Sequence, residues 1–104
     1  MALKNTTLGE AAASLYTSID SVNAVIVAYF CNTHPTDTVQ FTVYAVPSGS
    51  AADMTTVIYN DVNLTSGDTY VLDTERLILD NGDGLYASAS IGESIIATIN
   101  TIEV

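Results

Sequence analysis

Residues 82–104 read GDGLYASASIGESIIATINTIEV, and this stretch predicts the fold. Gly82-Asp83 and Gly92-Glu93 each lead into a run of alternating apolar and polar residues, and Gly67-Asp68 leads into a third. A glycine supplies the backbone freedom that a tight turn needs, and the acid beside it stays solvated. Alternation with a period of two marks a strand with one buried face. Short strands separated by such turns predict an all-β antiparallel sandwich or barrel.

The same alternation outside this stretch predicts seven to nine strands in total. A jelly-roll-like β-sandwich is the leading interpretation of these strands. Val22–Asn32 is the strongest strand. Its two faces carry Val25, Val27 and Tyr29 on one side and Ile26, Ala28 and Phe30 on the other. The other predicted strands are Ala13–Thr17, Val39–Val46, Thr56–Asn60, Thr69–Leu72, Arg76–Leu79, Leu85–Ser90 and Ile95–Val104. In the last of these, Ile96 and Ile102 lie opposite the predicted core face and are expected to meet another surface.

The first residues of the chain differ from the rest. Residues 1–11 are polar, with Leu3 and Leu8 as isolated apolar points. Such a segment could be a frayed end, an edge strand or an arm that docks on a neighbour. We therefore divide the chain into an N-terminal arm, residues 1–11, and one β-sandwich domain, residues 12–104. A chain of 104 residues is long enough to bury one core.

The charge balance excludes several partners. The chain has twelve acidic residues and only two basic ones, Lys4 and Arg76, which gives a formal net charge of −10. Nucleic-acid binders need lysine and arginine to displace counterions from phosphates, so no nucleic-acid partner is expected. An anionic membrane would repel the chain as well. The acids are expected on solvated turns, and association between identical copies should strengthen as salt screens their repulsion.

Cysteine and hydropathy indicate a reducing compartment and no membrane span. No uninterrupted apolar stretch approaches the roughly 20 residues that a membrane helix needs. The amino terminus has no long apolar segment, so no signal peptide is expected. Cys31 is the only cysteine, which excludes an internal disulfide. Synthesis in a reducing cytoplasm fits these features.

Catalytic and metal-binding interpretations are weak, and no catalytic residue, metal or cofactor is predicted. Cys31, His34 and Asp37 are the one set that could supply a nucleophile, a base and an orienting acid. Their spacing across a strand end and a proline loop disfavours convergence on one substrate atom. Residues 80–84, DNGDG, begin like a calcium loop, but Ile91 stands where an EF-hand needs glutamate. A hairpin turn is the preferred interpretation.

Tyrosines are the candidate contact residues. Tyr29, Tyr59 and Tyr70 fall in strand runs that predict burial, whereas Tyr44 and Tyr86 fall on the outward phase. Exposed aromatic side chains are typical of interfaces, and they also stack on sugars. The predicted interface residues are Leu3, Leu8, Tyr44 and Tyr86.

Four segments together resemble a known family. A hydrophobic strand, Val25–Asn32, ends in Cys-Asn-Thr, and the next ends in Val-Pro-Ser-Gly at residues 46–49. Asp61–Asp73 contains Leu-Thr-Ser-Gly-Asp-Thr, and Gly82–Ser90 contains Gly-Leu-Tyr-Ala-Ser-Ala-Ser. Over residues 15–104 the chain resembles the small β-sandwich virion structural proteins of tailed bacteriophages, especially those that infect cyanobacteria.

The resemblance implies a building block of the phage particle that is not an enzyme. Its expected place is the virion, as capsid decoration or as a neck or tail component. Its expected partners are capsid, neck or tail proteins and further copies of itself, in a trimer or another ring. The alternative is a glycan-binding adhesion module of a tail fibre.

Overall fold

The computed structural model describes residues 2–72 and 77–103, and within these ranges the chain forms strands and no helix. The nine strands are β1 (Ala2–Thr7), β2 (Ala13–Thr17), β3 (Asn23–Asn32), β4 (Val39–Val46), β5 (Val57–Leu64), β6 (Thr69–Leu72), β7 (Leu77–Leu79), β8 (Gly84–Ala89) and β9 (Ile95–Glu103). Predicted strands match these within a few residues. The predicted ends at Arg76 and Val104 lie outside the described residues.

The strands form two antiparallel sheets packed face to face. The five-stranded sheet has the order β1-β9-β3-β6, with β7 also paired to β3, and the four-stranded sheet has the order β2-β8-β4-β5. The pairs are nested: β1 with β9, β2 with β8, β3 with β6 and β7, and β4 with β5. Nested antiparallel pairs shared between two sheets are the topology of a jelly roll. The predicted fold class is therefore confirmed.

The core lies between the sheets and is built from the inward phase of each strand. The Phe30 ring of β3 stacks on the Phe41 ring of β4, with centroids 4.6 Å apart and planes 12° apart. Tyr70 of β6 adds a tilted contact to Phe41 at 5.6 Å. Along β9 the inward residues Ile95, Ala97 and Ile99 are buried, as their alternation predicts.

The predicted assignment of β3 side chains to the two faces was wrong, because the strand contains a β-bulge. The register against β9 shifts between Val25 and Val27, because one extra residue lies in β3 at that point. Val25 consequently faces the core together with Ala28, whereas Val27 and Tyr29 face outward. Tyr29, predicted to be buried, is 40% exposed.

The first residues are an edge strand, one of the three possibilities that the sequence left open. β1 pairs with β9 from Ala2↔Thr101 to Thr7↔Ile96. Leu8, directly after β1, is fully buried in the core, and its N–H donates to the carbonyl of Ile95. Lys4 pairs with the inward residue Ile99 but remains exposed, because β1 is at the edge of the sheet. An inward-pointing charge on an edge strand opposes the addition of another strand.

Acidic residues concentrate at the ends of the strands. Eight of the ten described acids lie in loops or turns, and the other two, Asp61 and Glu103, lie on β5 and β9. Asp61 has a φ of 49° at a register shift between β4 and β5. This bulge explains why β5 continues to Leu64 although the predicted strand stopped at Asn60.

We expect Gly82→Ala to lower the free energy of unfolding by more than the cost of placing alanine in a left-handed backbone conformation. Gly82 has a φ of 89°, a conformation that costs other residues about 1–2 kcal/mol. A Cβ at this position would also lie 2.4 Å from the Oγ and 2.8 Å from the Cβ of Ser48. Rotating the hydroxyl relieves the first contact and leaves the second.

Gly49→Ala is the matched control, measured by urea unfolding of both variants. Gly49 has a φ of 84°, but a Cβ there would meet no atom within 4 Å. Its variant should lose the backbone contribution alone. Equal losses in the two variants would contradict the packing of Gly82 against Ser48.

Candidate functional site

The outward face of the five-stranded sheet carries most of the exposed large hydrophobic residues among the described positions. Ala24 of β3 pairs with Ile78 of β7 and with Ile102 of β9, so these two isoleucines share one row across the sheet. Tyr29 pairs with Val71 in another row. We call this surface the apolar face, and its principal residues are Leu3, Val27, Tyr29, Val71, Ile78 and Ile102.

These side chains are exposed to an unusual extent for large hydrophobic residues. The exposed fractions are 73% for Leu3, 58% for Ile78, 44% for Val71, 40% for Tyr29 and 39% for Ile102. Isolated exposed hydrophobic residues are ordinary, whereas a contiguous set marks a contact surface. The register places five of the eight described exposed large hydrophobic residues on this one face.

The apolar face carries no charged side chain among the described residues. The other outward positions of β1, β6 and β9 are neutral, and the Thr98 hydroxyl donates to the Asn5 Oδ1 at 2.7 Å. The acids lie beyond both ends of the strands, Asp68 and Glu93 at one end and Asp20 and Asp80 at the other. An uncharged centre with a charged perimeter is the distribution expected for a protein contact surface.

The outward face of the four-stranded sheet is different, because it carries a polar groove of about 340 Å³. Its lining includes Glu10, Gln40, Thr42, Tyr44, Asn60 and Asp61. The β5 bulge brings Asp61 against Thr42, whose hydroxyl accepts from the Asp61 N–H at 3.1 Å. Carboxylate, amide and hydroxyl groups beside a tyrosine ring are the groups that bind sugar hydroxyls and a sugar face.

The loop beside this groove is ordered by Asp53. Its carboxylate accepts hydrogen bonds from the hydroxyl and the N–H of Thr55. The hydroxyl contact first, and then the N–H contact, hold the pKa of Asp53 below its ordinary value, because both stabilise the ionised form. The loop therefore keeps a charged carboxylate at neutral pH close to Met54, which lines the groove.

Tyr44 and Tyr86 are neighbours on the four-stranded sheet. They pair directly between β4 and β8, and both are half-buried. The Tyr86 ring covers Gly84, since a Cβ on Gly84 would lie 2.8 Å from the ring Cε1. The tyrosine ring fills the space above the glycine, which has no side chain of its own to pack there.

Of the three residues Cys31, His34 and Asp37, the structure brings His34 and Asp37 together, with the His34 Nε2 3.9 Å from the Asp37 carboxylate. Cys31 is on the outward phase of β3, where it pairs with Ile96 and Thr69. The His34 Nδ1 accepts from the N–H groups of Thr36 and Asp37, which holds the ring in its own loop. Within residues 2–72 and 77–103 no hydrogen bond joins the Cys31 thiol to His34.

Residues 80–84 form a turn. The Asp83 N–H donates to the Asp80 carbonyl at 2.9 Å, and Gly82 has the positive φ that such a turn requires. The Asp83 carboxylate accepts from the N–H groups of Ser48 and Asp80. It therefore links two loops at one end of the sandwich.

The four predicted interface residues lie in three separate places. Tyr44 and Tyr86 are on the four-stranded sheet, Leu3 is on the apolar face, and Leu8 is in the core. Leu8 cannot contact a partner in the folded chain. Val71 and Ile78, which also lie on the apolar face, were not predicted from the sequence. The one sequence signal for this face was the outward phase of Ile102 in β9.

Comparisons with known proteins give one structural match. No protein-family model matches the chain, and no curated protein matches it in sequence. A chain in the structure of infectious bursal disease virus, Gx strain, aligns with 97% of this chain at a TM-score of 0.45 and 14% identity. The aligned part is 29% of that chain, and at this TM-score the match identifies neither family nor function. Among the described residues, no helix is long and apolar enough to span a membrane.

Proposed function

We propose that the chain is a non-enzymatic structural protein of a tailed-phage virion, an accessory component of the capsid, neck or tail. Three features support this function. The jelly roll is an architecture of viral capsid domains. The strand and turn motifs resemble small phage virion proteins. The apolar face is a surface suited to contact with protein.

The apolar face is the observation that carries the proposal. Tyr29, Val71 and Ile78 are each at least 40% exposed, and no charged side chain lies on the same face within residues 2–72 and 77–103. Exposed apolar area costs about 25 cal/mol per Å² relative to burial, so a partner that covers this face gains stability. A building block held in a particle has such a partner throughout its lifetime.

The charge distribution is compatible with the proposed partners. With a net charge of −10, the chain is repelled by nucleic acid and by anionic membrane, and this favours proteins as its partners. These are capsid, neck or tail proteins and further copies of the chain. It would be made in the host cytoplasm and function in the virion.

We expect virions purified on a density gradient from the encoding phage to contain the chain in many copies. Quantitative peptide mass spectrometry, with the major capsid protein as the internal reference, measures the copy number. The ratio should remain constant through a second gradient, because a bound component moves with the particle. Recovery in the infected-cell lysate but not in the purified particles would contradict a virion role.

The polar groove supports a second candidate, a glycan-binding adhesion module of a tail fibre. Tyr44 would stack on a sugar face, and Asp61 and Gln40 would bind its hydroxyls. A glycan array of the isolated chain tests this function, with Asp61→Asn as the variant expected to lose binding. Asparagine tolerates the positive φ of this position, and the backbone N–H still donates to the Thr42 hydroxyl, so the fold around the groove is kept. Silence of the wild-type chain across the array would eliminate the candidate.

A further inference from the structure

We infer that the apolar face binds the same face of a second copy of this chain, in a twofold, face-to-face pair. The inference deepens the proposed function, on which its biological setting rests. The contact would pack the five-stranded sheets of two sandwiches against each other. Stacked sheets lie about 10 Å apart with their strands within about 30°, the spacing already found inside a sandwich.

The area of the face is sufficient for a specific pair. Four strands lie side by side across the sheet, and the outward rows run along β3 from Ala24 to Cys31. At about 4.8 Å per strand and 3.3 Å per residue, the face measures about 500 Å². Two copies would bury about 1,000 Å² together, the lower bound for a biological interface. The pair should therefore be reversible in dilute solution.

The charges allow two copies to meet. No like charges come into contact at the centre, because the described part of the face has none. Asp68 and Glu93 follow the strand ends, so in the pair they stay solvated at the perimeter. Their repulsion acts through solvent and weakens when salt is added. A basic partner would be attracted by the same acids, and its binding would weaken with salt instead.

Tyr29 is the expected anchor of the contact. It lies in the middle of β3, between Val71 on one side and Thr98 on the other. Buried tyrosines at the centre of an interface carry a disproportionate share of binding energy. The resemblance implies a trimer or another ring. A face whose described side chains include no charged group fits an isologous pair instead, in which the same patch is used twice.

Sedimentation of the purified chain over a range of concentrations tests the pairing. The weight-average mass should rise from that of the 10.9 kDa monomer toward twice that value. Raising NaCl from about 0.05 M to about 0.5 M shortens the Debye length from about 14 Å to about 4 Å and should tighten the pair several-fold. A monomer throughout, or a pair that weakens with salt, would overturn the inference.

Tyr29→Lys and Met54→Lys are the matched variants. Both make the net charge less negative by one, but only Tyr29 lies on the apolar face; Met54 is 66% exposed in a loop of the other sheet. Tyr29→Lys should weaken the pair by at least about tenfold, because it places an ammonium group in an apolar contact. Met54→Lys should leave the pair unchanged or slightly tighter. Circular dichroism confirms that each variant is folded, and equal effects of the two would overturn the inference.

The native cysteine reports on the same face without a mutation. Cys31 is the only cysteine and lies in an outward row of β3. Its labelling rate per chain with a thiol reagent should fall as the protein concentration rises through the pairing transition. A mass that doubles while the labelling rate stays constant would place the contact on another surface and overturn the inference. Particle incorporation is a separate measurement, so this test can fail while the virion role stands.

Discussion

Phe41→Ala is expected to lower the free energy of unfolding by about 3–5 kcal/mol, the usual cost of truncating a buried phenylalanine. Phe41 is 1% exposed and contacts two rings, Phe30 at 4.6 Å and Tyr70 at 5.6 Å. The substitution leaves a cavity between the sheets and removes the central contact between β3 and β4. A domain of this size has a total stability of about 5–15 kcal/mol, so much of it would be lost.

Urea unfolding of Phe41→Ala and Phe41→Leu measures this effect. Leucine retains most of the side-chain volume, and its variant should lose no more than about 1.5 kcal/mol. A double-mutant cycle with Phe30→Leu should give a coupling of about 0.5–1.5 kcal/mol for the stacked pair. A small loss for alanine, similar to that for leucine, would show that the two rings do not hold the sheets together.

Asn32→Leu is expected to cost about 3–5 kcal/mol, although the two side chains have similar size. The Asn32 Nδ2 donates to the Asp37 carbonyl at 3.0 Å and to the Leu64 carbonyl at 2.8 Å. Its Oδ1 accepts from the His34 N–H at 2.9 Å. Asn32 is fully buried, so leucine would leave three backbone groups without these partners, at about 1–3 kcal/mol for each one kept from water.

Asn63→Leu is the control for this prediction. The Asn63 Oδ1 accepts one hydrogen bond from the Gln40 Nε2 at an exposed site on β5, and its replacement should cost less than about 0.5 kcal/mol. In Asn32→Leu the loop after β3 and the end of β5 should lose their connection. Amide hydrogen exchange should therefore accelerate at His34, and unchanged exchange there would contradict the role of Asn32.

Local patterns predicted the strands because side-chain alternation depends only on neighbouring residues. β4 and β9 could be assigned from their own residues, since each presents one apolar set to the core and β9 keeps a strict period of two. The turn at residues 80–84 was also readable, since glycine and aspartate form turns through their own backbone. The same reasoning failed at β3, where one bulge moved Val25 to the core and Tyr29 to the surface.

Leu8 shows why the candidate site was harder to predict than the strands. In the sequence it is an isolated apolar residue in a polar segment, and nothing local indicates burial. It is buried because β1 pairs with β9, 93 positions away at Asn5↔Thr98, and this pairing brings the following residue into the core. Register between distant strands is a property of the whole fold, so composition near Leu8 contains no signal for it.

By itself, the sequence determined an all-β fold of short antiparallel strands with acidic turns and a strongly negative net charge. These properties follow from periodicity, turn residues and composition, which are local or additive. Only the tertiary structure decided that Leu3, Tyr29, Val71, Ile78 and Ile102 share one face of the sheet. They come from five strands, and hydrogen-bond register, which is set by long-range pairing and by the bulge in β3, brings them to the same side.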